Sequence, residues 1–407
     1  MTVTVESNPV IRYAARLDAL SGEGALDVFV RARTLEAQGR EIVHLELGEP
    51  DAPTPAHVIE ATVRALRDGE TRYSQPAGLP ELREAVAASA AERGVDATAA
   101  DVVVTPSAKT AVFYSLLSLV APGDEVLVPD PGFPIFPSVV RFCGGTPVSY
   151  SFVASRGYAI DVEEVATRLT PRTRVLVLNA PSNPTGGSID GATIERLAEL
   201  AERHDLAVVS DEIYSRLTYD EGEAAQGVPS VGAHPALRPR SVLVNGFSKT
   251  YAMPGFRLGY AIVPPPLVER FTTLAINGHT CTPVFTQRAG IAALTGPQDA
   301  VSAARAEYRA RRDVIVRGLN AIPGVRCPEP RGAFYAFPDL SAVLRPARLT
   351  VAQFVTRLLE EFGVAALQGT AFGARGEGHL RISFASGRAD IDAALRGIAG
   401  CVAAVGK

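Results

Sequence analysis

Four short segments place reactive or charged side chains directly behind or between apolar, backbone-permissive runs. Asn245-Gly246-Phe247-Ser248-Lys249-Thr250 sets a lysine after the run Ser241 to Val244. A lysine at a strand end reacts with an aldehyde when burial and nearby cations depress its ammonium pKa. Taken alone, a lysine is far more often a solvated surface residue, because lysines are rarely fully buried. Ser210-Asp211-Glu212-Ile213-Tyr214 follows Leu206 to Val209. A carboxylate at the C-terminal end of a parallel strand points into the crevice where α/β proteins bind ligands. There Asp211 can hold a heteroaromatic ring nitrogen protonated, making the ring an electron sink, and Tyr214 can hydrogen-bond a ring oxygen. An isolated Asp-Glu after a strand is more often a helix N-cap.

The third segment, Asn179-Ala180-Pro181-Ser182-Asn183-Pro184-Thr185-Gly186-Gly187, again follows an apolar run. Its prolines and glycines predict a rigid loop from which Asn183 can donate to a bound ring oxygen, although a plain turn has the same composition. The fourth, Gly255-Phe256-Arg257-Leu258-Gly259-Tyr260, sets a guanidinium between two glycines, suited to a bidentate grip on a phosphate or carboxylate.

These segments need a scaffold that brings strand ends together. Val102 to Thr105, Glu125 to Val128, Arg174 to Leu178, Ala207 to Val209 and Ser241 to Val244 are short β-branched runs separated by helical stretches. That alternation predicts βα units and a mostly parallel sheet covered on both faces. Ile194, Leu197, Leu200 and Ala201 recur at helical spacing and predict a helix lying on the sheet. In the C-terminal third, Phe354, Val355, Leu358, Leu359 and Phe362 form a second helical stripe, closed by Gly363 as a C′ residue. Short strands are expected at Val364 to Leu367 and Leu380 to Phe384. Pro323 to Gly332 is expected to be a turn within a second domain. Residues 1–50 lack βα character and are expected to join the C-terminal third. The expected division is an N-terminal segment 1–50, a large domain 51–290 and a small C-terminal domain 291–407.

Composition bounds the function. The 407 residues favour more than one structural unit, and 47% hydrophobic with 21% charged residues is an ordinary globular profile. The net charge of −4 leaves no basic field for nucleic acid or anionic lipid. Cys143, Cys281, Cys327 and Cys401 are scattered without a CxxC pair, so neither a metal site nor a redox dithiol is expected. Free thiols, a Met1 to Leu20 stretch without a continuous apolar core, and no run near the roughly 20 apolar residues of a membrane span predict a cytoplasmic protein.

In this order, Asn-Pro-Thr-Gly, Ser-Asp-Glu-Ile-Tyr, Ser-Lys-Thr and Gly-x-Arg-x-Gly-Tyr resemble the class I and II aminotransferases of pyridoxal-phosphate (PLP) fold type I. Leu47-Gly48-Glu49-Pro50-Asp51, Tyr73-Ser74-Gln75-Pro76-Ala77-Gly78 with Glu81-Leu82-Arg83, and Leu380-Arg381-Ile382-Ser383-Phe384 extend the resemblance over nearly the whole chain. So many motifs in family order leave little room for a chance match. The resemblance implies an α/β fold with a large, mostly parallel-sheet domain and a smaller α+β domain drawn from both termini. It implies transfer of an amino group from an L-α-amino acid to a 2-oxo acid such as 2-oxoglutarate, by a ping-pong mechanism. Lys249 would carry PLP as a Schiff base and move the proton. Asp211 would pair with the ring nitrogen, and Tyr214 and Asn183 with the ring hydroxyl. Ser107, Ala108, Lys109, Ser248 and Arg257 would hold the phosphate, Phe133 would stack on the ring, and Tyr73 would reach the phosphate of a neighbouring subunit, making a homodimer. Arg381 would clamp the substrate carboxylate beside Gly48, and Lys109 would reach a second carboxylate. Two positions depart from the common pattern: Gly246 replaces a frequent phosphate-binding serine, and Phe133 a frequent tyrosine. The same constellation also serves PLP-dependent lyases, cyclases and oxidases, since one electron sink stabilises the same carbanion. A PLP-dependent DNA-binding regulator would need a basic helix-turn-helix ahead of the matching region, and none precedes it here.

Overall fold

In a computed structural model, which describes residues 11–22, 24–220 and 227–405, the β-branched runs of the sequence fall in one sheet. Residues 1–10, 23, 221–226 and 406–407, included in the expected three-part division, lie outside the described residues. The spatial order of this seven-stranded sheet is Val102–Thr105, Gly259–Ile262, Ser241–Gly246, Ala207–Asp211, Thr173–Asn179, Glu125–Pro129, Thr146–Tyr150. Neighbours run parallel except at Gly259–Ile262, which is antiparallel to both strands beside it.

Val102–Thr105 has the expected bounds, while the other four anticipated strands are longer by one or two residues. The extensions are polar or turn-prone residues held by the ladder, as where Asn179 sits opposite Asp211. Strand residues are mostly buried, except along the edge strand Thr146–Tyr150, because apolar clusters cover both faces of the sheet. Helix Gly191–Arg203, capped by the Asp190 carboxylate accepting from Thr193 N–H, buries Ile194, Leu197, Leu200 and Ala201 as its periodicity requires.

The remaining strands are short. Val43–His44 pairs parallel with Val364–Ala365, so chain from before the large sheet packs with chain from after it. Leu380–Ser383 is the centre of a three-stranded antiparallel sheet between Tyr335–Ala336 and Leu367–Gln368. The single strand expected at Val364 to Leu367 is therefore two, because the chain leaves one sheet at buried Ala366 and enters another. Helix Val351–Phe362 starts with a Thr350–Gln353 capping box and stops at Gly363, whose φ of +68° is the left-handed conformation of a helix terminus.

Gly259 is where the sheet meets the helix Ala108–Leu119. A Cβ there would lie 2.2 Å from the Ala108 nitrogen and 2.4 Å from the Ser107 carbonyl carbon, so only glycine lets the helix start approach the strand. Both contacts are backbone and cannot rotate away. Gly259→Ala is expected to destabilise the fold by about 1–3 kcal/mol, read as a lower urea midpoint; an unchanged midpoint would contradict the close approach.

Candidate active site

The C-terminal edges of the parallel strands converge on one cavity of about 260 Å³. Lys109, Phe133, Asn183, Asp211 and Lys249, each from a different strand–loop connection, line it. Arg257 arrives at the same edge because the strand after it runs antiparallel. Ser107, Ala108, Ser248, Tyr214, Gly48 and Arg381 complete the expected set. Of the residues that the sequence assigned to the site, Tyr73 lies elsewhere, 87% exposed on the surface.

At the floor, the Asp211 carboxylate accepts from the Ile213 N–H at 3.2 Å. Burial pushes it up to about 7, with the Glu212 charge adding to the rise and the Ile213 N–H and the Lys249 cation opposing it. Asn179, on the adjacent strand, donates to the Asp211 carbonyl at 3.1 Å and accepts from the Asn183 N–H at 2.9 Å, fixing both positions with one side chain. The Asn183 Oδ1 is buried with no hydrogen-bond partner among the described residues. Tyr214, 4% exposed, has its hydroxyl 2.7 Å from that of Tyr335.

The Lys249 Nζ donates to the Gly48 carbonyl at 2.5 Å and lies 6.0 Å over the Phe334 ring. Burial lowers its ammonium from 10.5 to about 8, against the opposing charge of Glu49 and together with the cations of Arg381, Lys109 and Arg257. Where the helix Ala108–Leu119 meets the cavity, Ser107 caps it by accepting from the Thr110 N–H at 3.3 Å. The first N–H groups of a helix have no i−4 carbonyl, so this end of the cavity favours an anion. Arg257, with φ +51°, and Lys109, 5.6 Å over the Phe133 ring, are exposed at the same end.

Arg381, 3% exposed, donates to the Glu46 carbonyl and stacks 4.7 Å from the Tyr335 ring and 5.2 Å from Phe372. Gly246 does not line this cavity; a Cβ there would crowd the Leu258 carbonyl at 3.0 Å. The motifs did not point to Asn179 as a staple, or to Tyr335 and Phe372 as walls. One overlooked signal lies in the sequence itself: Lys109, Lys249 and Lys407 are its only lysines, against 37 arginines, and two of the three line this cavity.

The family profile described as "Aminotransferase class I and II" matches residues 40–398. The chain is 35% identical to an aspartate aminotransferase of Geobacillus stearothermophilus, covering 95% of this chain and 98% of that one. It is 36% identical to an arginine–pyruvate transaminase of Pseudomonas aeruginosa, covering 97% and 98%. The solved aspartate aminotransferase of Rhizobium meliloti superposes with a TM-score of 0.90 at 34% identity, covering 97% and 99%.

The lysine scarcity makes the depressed amine directly measurable. Acylation of the cofactor-free protein over a pH series, read by peptide mapping, should reach half-maximal reactivity at Lys249 near pH 8, because below that pH the nitrogen is an unreactive ammonium. A midpoint at 10 or above would contradict its burial among cations.

Proposed function

The chain belongs to the class I and II aminotransferases and is a PLP-dependent enzyme of fold type I; from that premise we propose how its own residues divide the work. The depressed Lys249 amine, set between a carboxylate floor and a cationic end, carries the proposal. The cavity suits the cofactor. A buried carboxylate pushed up to about 7 is restored to its charged form by a cationic partner, which a protonated ring nitrogen supplies. The Asn183 carboxamide, its oxygen without a partner among the described residues and its N–H2 able to donate, suits a ring oxygen, and the helix start with Arg257 suits a phosphate.

When bound, PLP supplies the carbon that takes the amino group and a protonated ring that draws electron density from the substrate Cα. Asp211 holds the ring-nitrogen proton. Tyr214 and Asn183 hydrogen-bond the ring oxygen, and Phe133 gives the ring a flat apolar wall. The backbone N–H groups of Ser107, Ala108 and Lys109 at the helix start, with Ser248 and Arg257, bind the phosphate. Lys249 would hold the cofactor as a Schiff base at rest and, once free, would accept the Cα proton, a role that its depressed amine pKa suits. Arg381 takes the α-carboxylate fork to fork, with Gly48 leaving room beside it.

The same reading makes the enzyme a homodimer. Tyr73 is exposed away from its own cavity, and Ile59, Val63 and Leu66 form an exposed apolar stripe on the helix Ala56–Arg67. Pairing of Val43–His44 with Val364–Ala365 supports joining residues 1–50 to 291–407 as a small domain against 51–290. Cytoplasmic placement is supported by the free cysteines; among the described residues no helix is long and apolar enough to cross a membrane.

The curated relatives carry different amino acids in their names, so identity at this level leaves the donor open. Lys109, at the cationic end, favours a donor with a second carboxylate, with 2-oxoglutarate as acceptor. A point charge on a flexible stem gives modest selectivity. The test adds aspartate, glutamate, alanine or phenylalanine without oxo acid, then measures kcat/KM with it. One equivalent should react and stop without the acceptor; continuous turnover would mean a lyase or oxidase. Lys109→Ala should lower kcat/KM about tenfold for the two acidic substrates only, equivalent to ~1.4 kcal/mol. Uniform loss over all four would confine Lys109 to the cofactor.

A further inference from the structure

Tyr335 has no part in the assignments above, yet three features of the site meet on it. It is 1% exposed, on the strand Tyr335–Ala336 opposite Ser383, beside the strand that carries Arg381. Its hydroxyl oxygen is 2.7 Å from that of Tyr214. Its ring lies 4.7 Å beneath the Arg381 guanidinium. The hydroxyl also lies against Gly48: a Cβ there would fall 2.0 Å from it. Glycine at position 48 thus makes room for the Tyr335 hydroxyl.

A phenol has one proton to donate. Burial raises the Tyr214 pKa well above its ordinary value, so Tyr214 keeps that proton at working pH. On the reading given above, the proton goes to the ring oxygen of the cofactor. The 2.7 Å contact is then a hydrogen bond only when Tyr335 donates to Tyr214.

We infer that Tyr335 is a positioning residue, its hydroxyl donating to Tyr214 so that two phenols form a relay of donors ending on the cofactor's ring oxygen, while its ring supports Arg381. The inference rests on that reading of the site. A hydroxyl that accepts one hydrogen bond becomes a stronger donor in the next, and the effect is larger in a dry site. Tyr335 therefore links the group that grips the substrate carboxylate to the group that sets the electron demand of the ring. Loss of its hydroxyl weakens the hold on the ring oxygen and leaves the aromatic support under Arg381 in place. Loss of the ring removes both.

The test uses PLP-loaded enzyme in four forms: native, Tyr335→Phe, Tyr214→Phe and the double variant. The first readout is the pH midpoint of the visible absorbance of the resting enzyme, which follows the proton on the Lys249 nitrogen. Weaker donation to the ring oxygen leaves that oxygen better able to hold the proton, so the midpoint rises. Tyr335→Phe should raise it by about half a unit, less than Tyr214→Phe does. The double variant should match Tyr214→Phe, since the relay acts only through Tyr214. The second readout is the kinetic split: kcat should fall several-fold in Tyr335→Phe with KM for the amino acid nearly unchanged, whereas Tyr335→Leu should raise KM as well. An unshifted midpoint in Tyr335→Phe, or a full additional shift in the double variant, would overturn the relay. A native enzyme without a titrating band would sink both the site assignment and this inference; a native band indifferent to Tyr335→Phe would sink this inference alone.

Discussion

The site depends on disfavouring the charge on one amine inside a cavity that otherwise gathers charge. Burial disfavours the Lys249 ammonium, and Arg381, Lys109 and Arg257 disfavour it further, while Glu49 pulls the other way. The same burial drives the Asp211 carboxylate toward neutrality. Two groups of opposite sign are thus both pushed toward their neutral forms. A cofactor with a basic ring nitrogen, an aldehyde and a phosphate answers all of these demands at once.

The fold supplies this arrangement through strand ends rather than through one continuous element. Strand polarity sends the parallel connections, and the approach to the single antiparallel strand, to the same edge. Side chains then fix the loops to one another, as Asn179 ties the Asp211 strand to the Asn183 loop. Glycine at 259 lets the phosphate-facing helix start touch the sheet, and glycine at 48 lets Tyr335 reach Tyr214. Each is a close approach that any side chain would block.

What the sequence revealed and what it hid separate on physical grounds. Lys249, Asp211 and Asn183 stood out because a polar segment behind an apolar run breaks a strong local pattern, and Arg257 because it lies between two glycines. The five β-branched runs were legible for the same reason. Tyr335 was not, because Gly332-Ala333-Phe334-Tyr335 reads as core and its hydroxyl partner lies 121 residues away. Asn179 read as the first residue of the loop after Arg174 to Leu178, since its hold on the Asp211 carbonyl exists only once the neighbouring strand is in register. The antiparallel strand Gly259–Ile262 was hidden by its motif glycine, and Ala366 by a run that looks continuous until it changes sheets. The three-lysine count was open to inspection from the start, and it would have strengthened the case for Lys249 without any motif.

That scarcity also gives the most direct test of the central claim, that Lys249 is the residue joined to the cofactor. Borohydride reduction of the PLP-loaded enzyme fixes the cofactor to whichever amine holds it, and digestion with mass mapping then locates the adduct. The account predicts one equivalent of reduced cofactor on the peptide containing Lys249, and none on native protein from which PLP has been removed. An adduct on Lys109 or Lys407, or no adduct on a PLP-loaded enzyme, would contradict it.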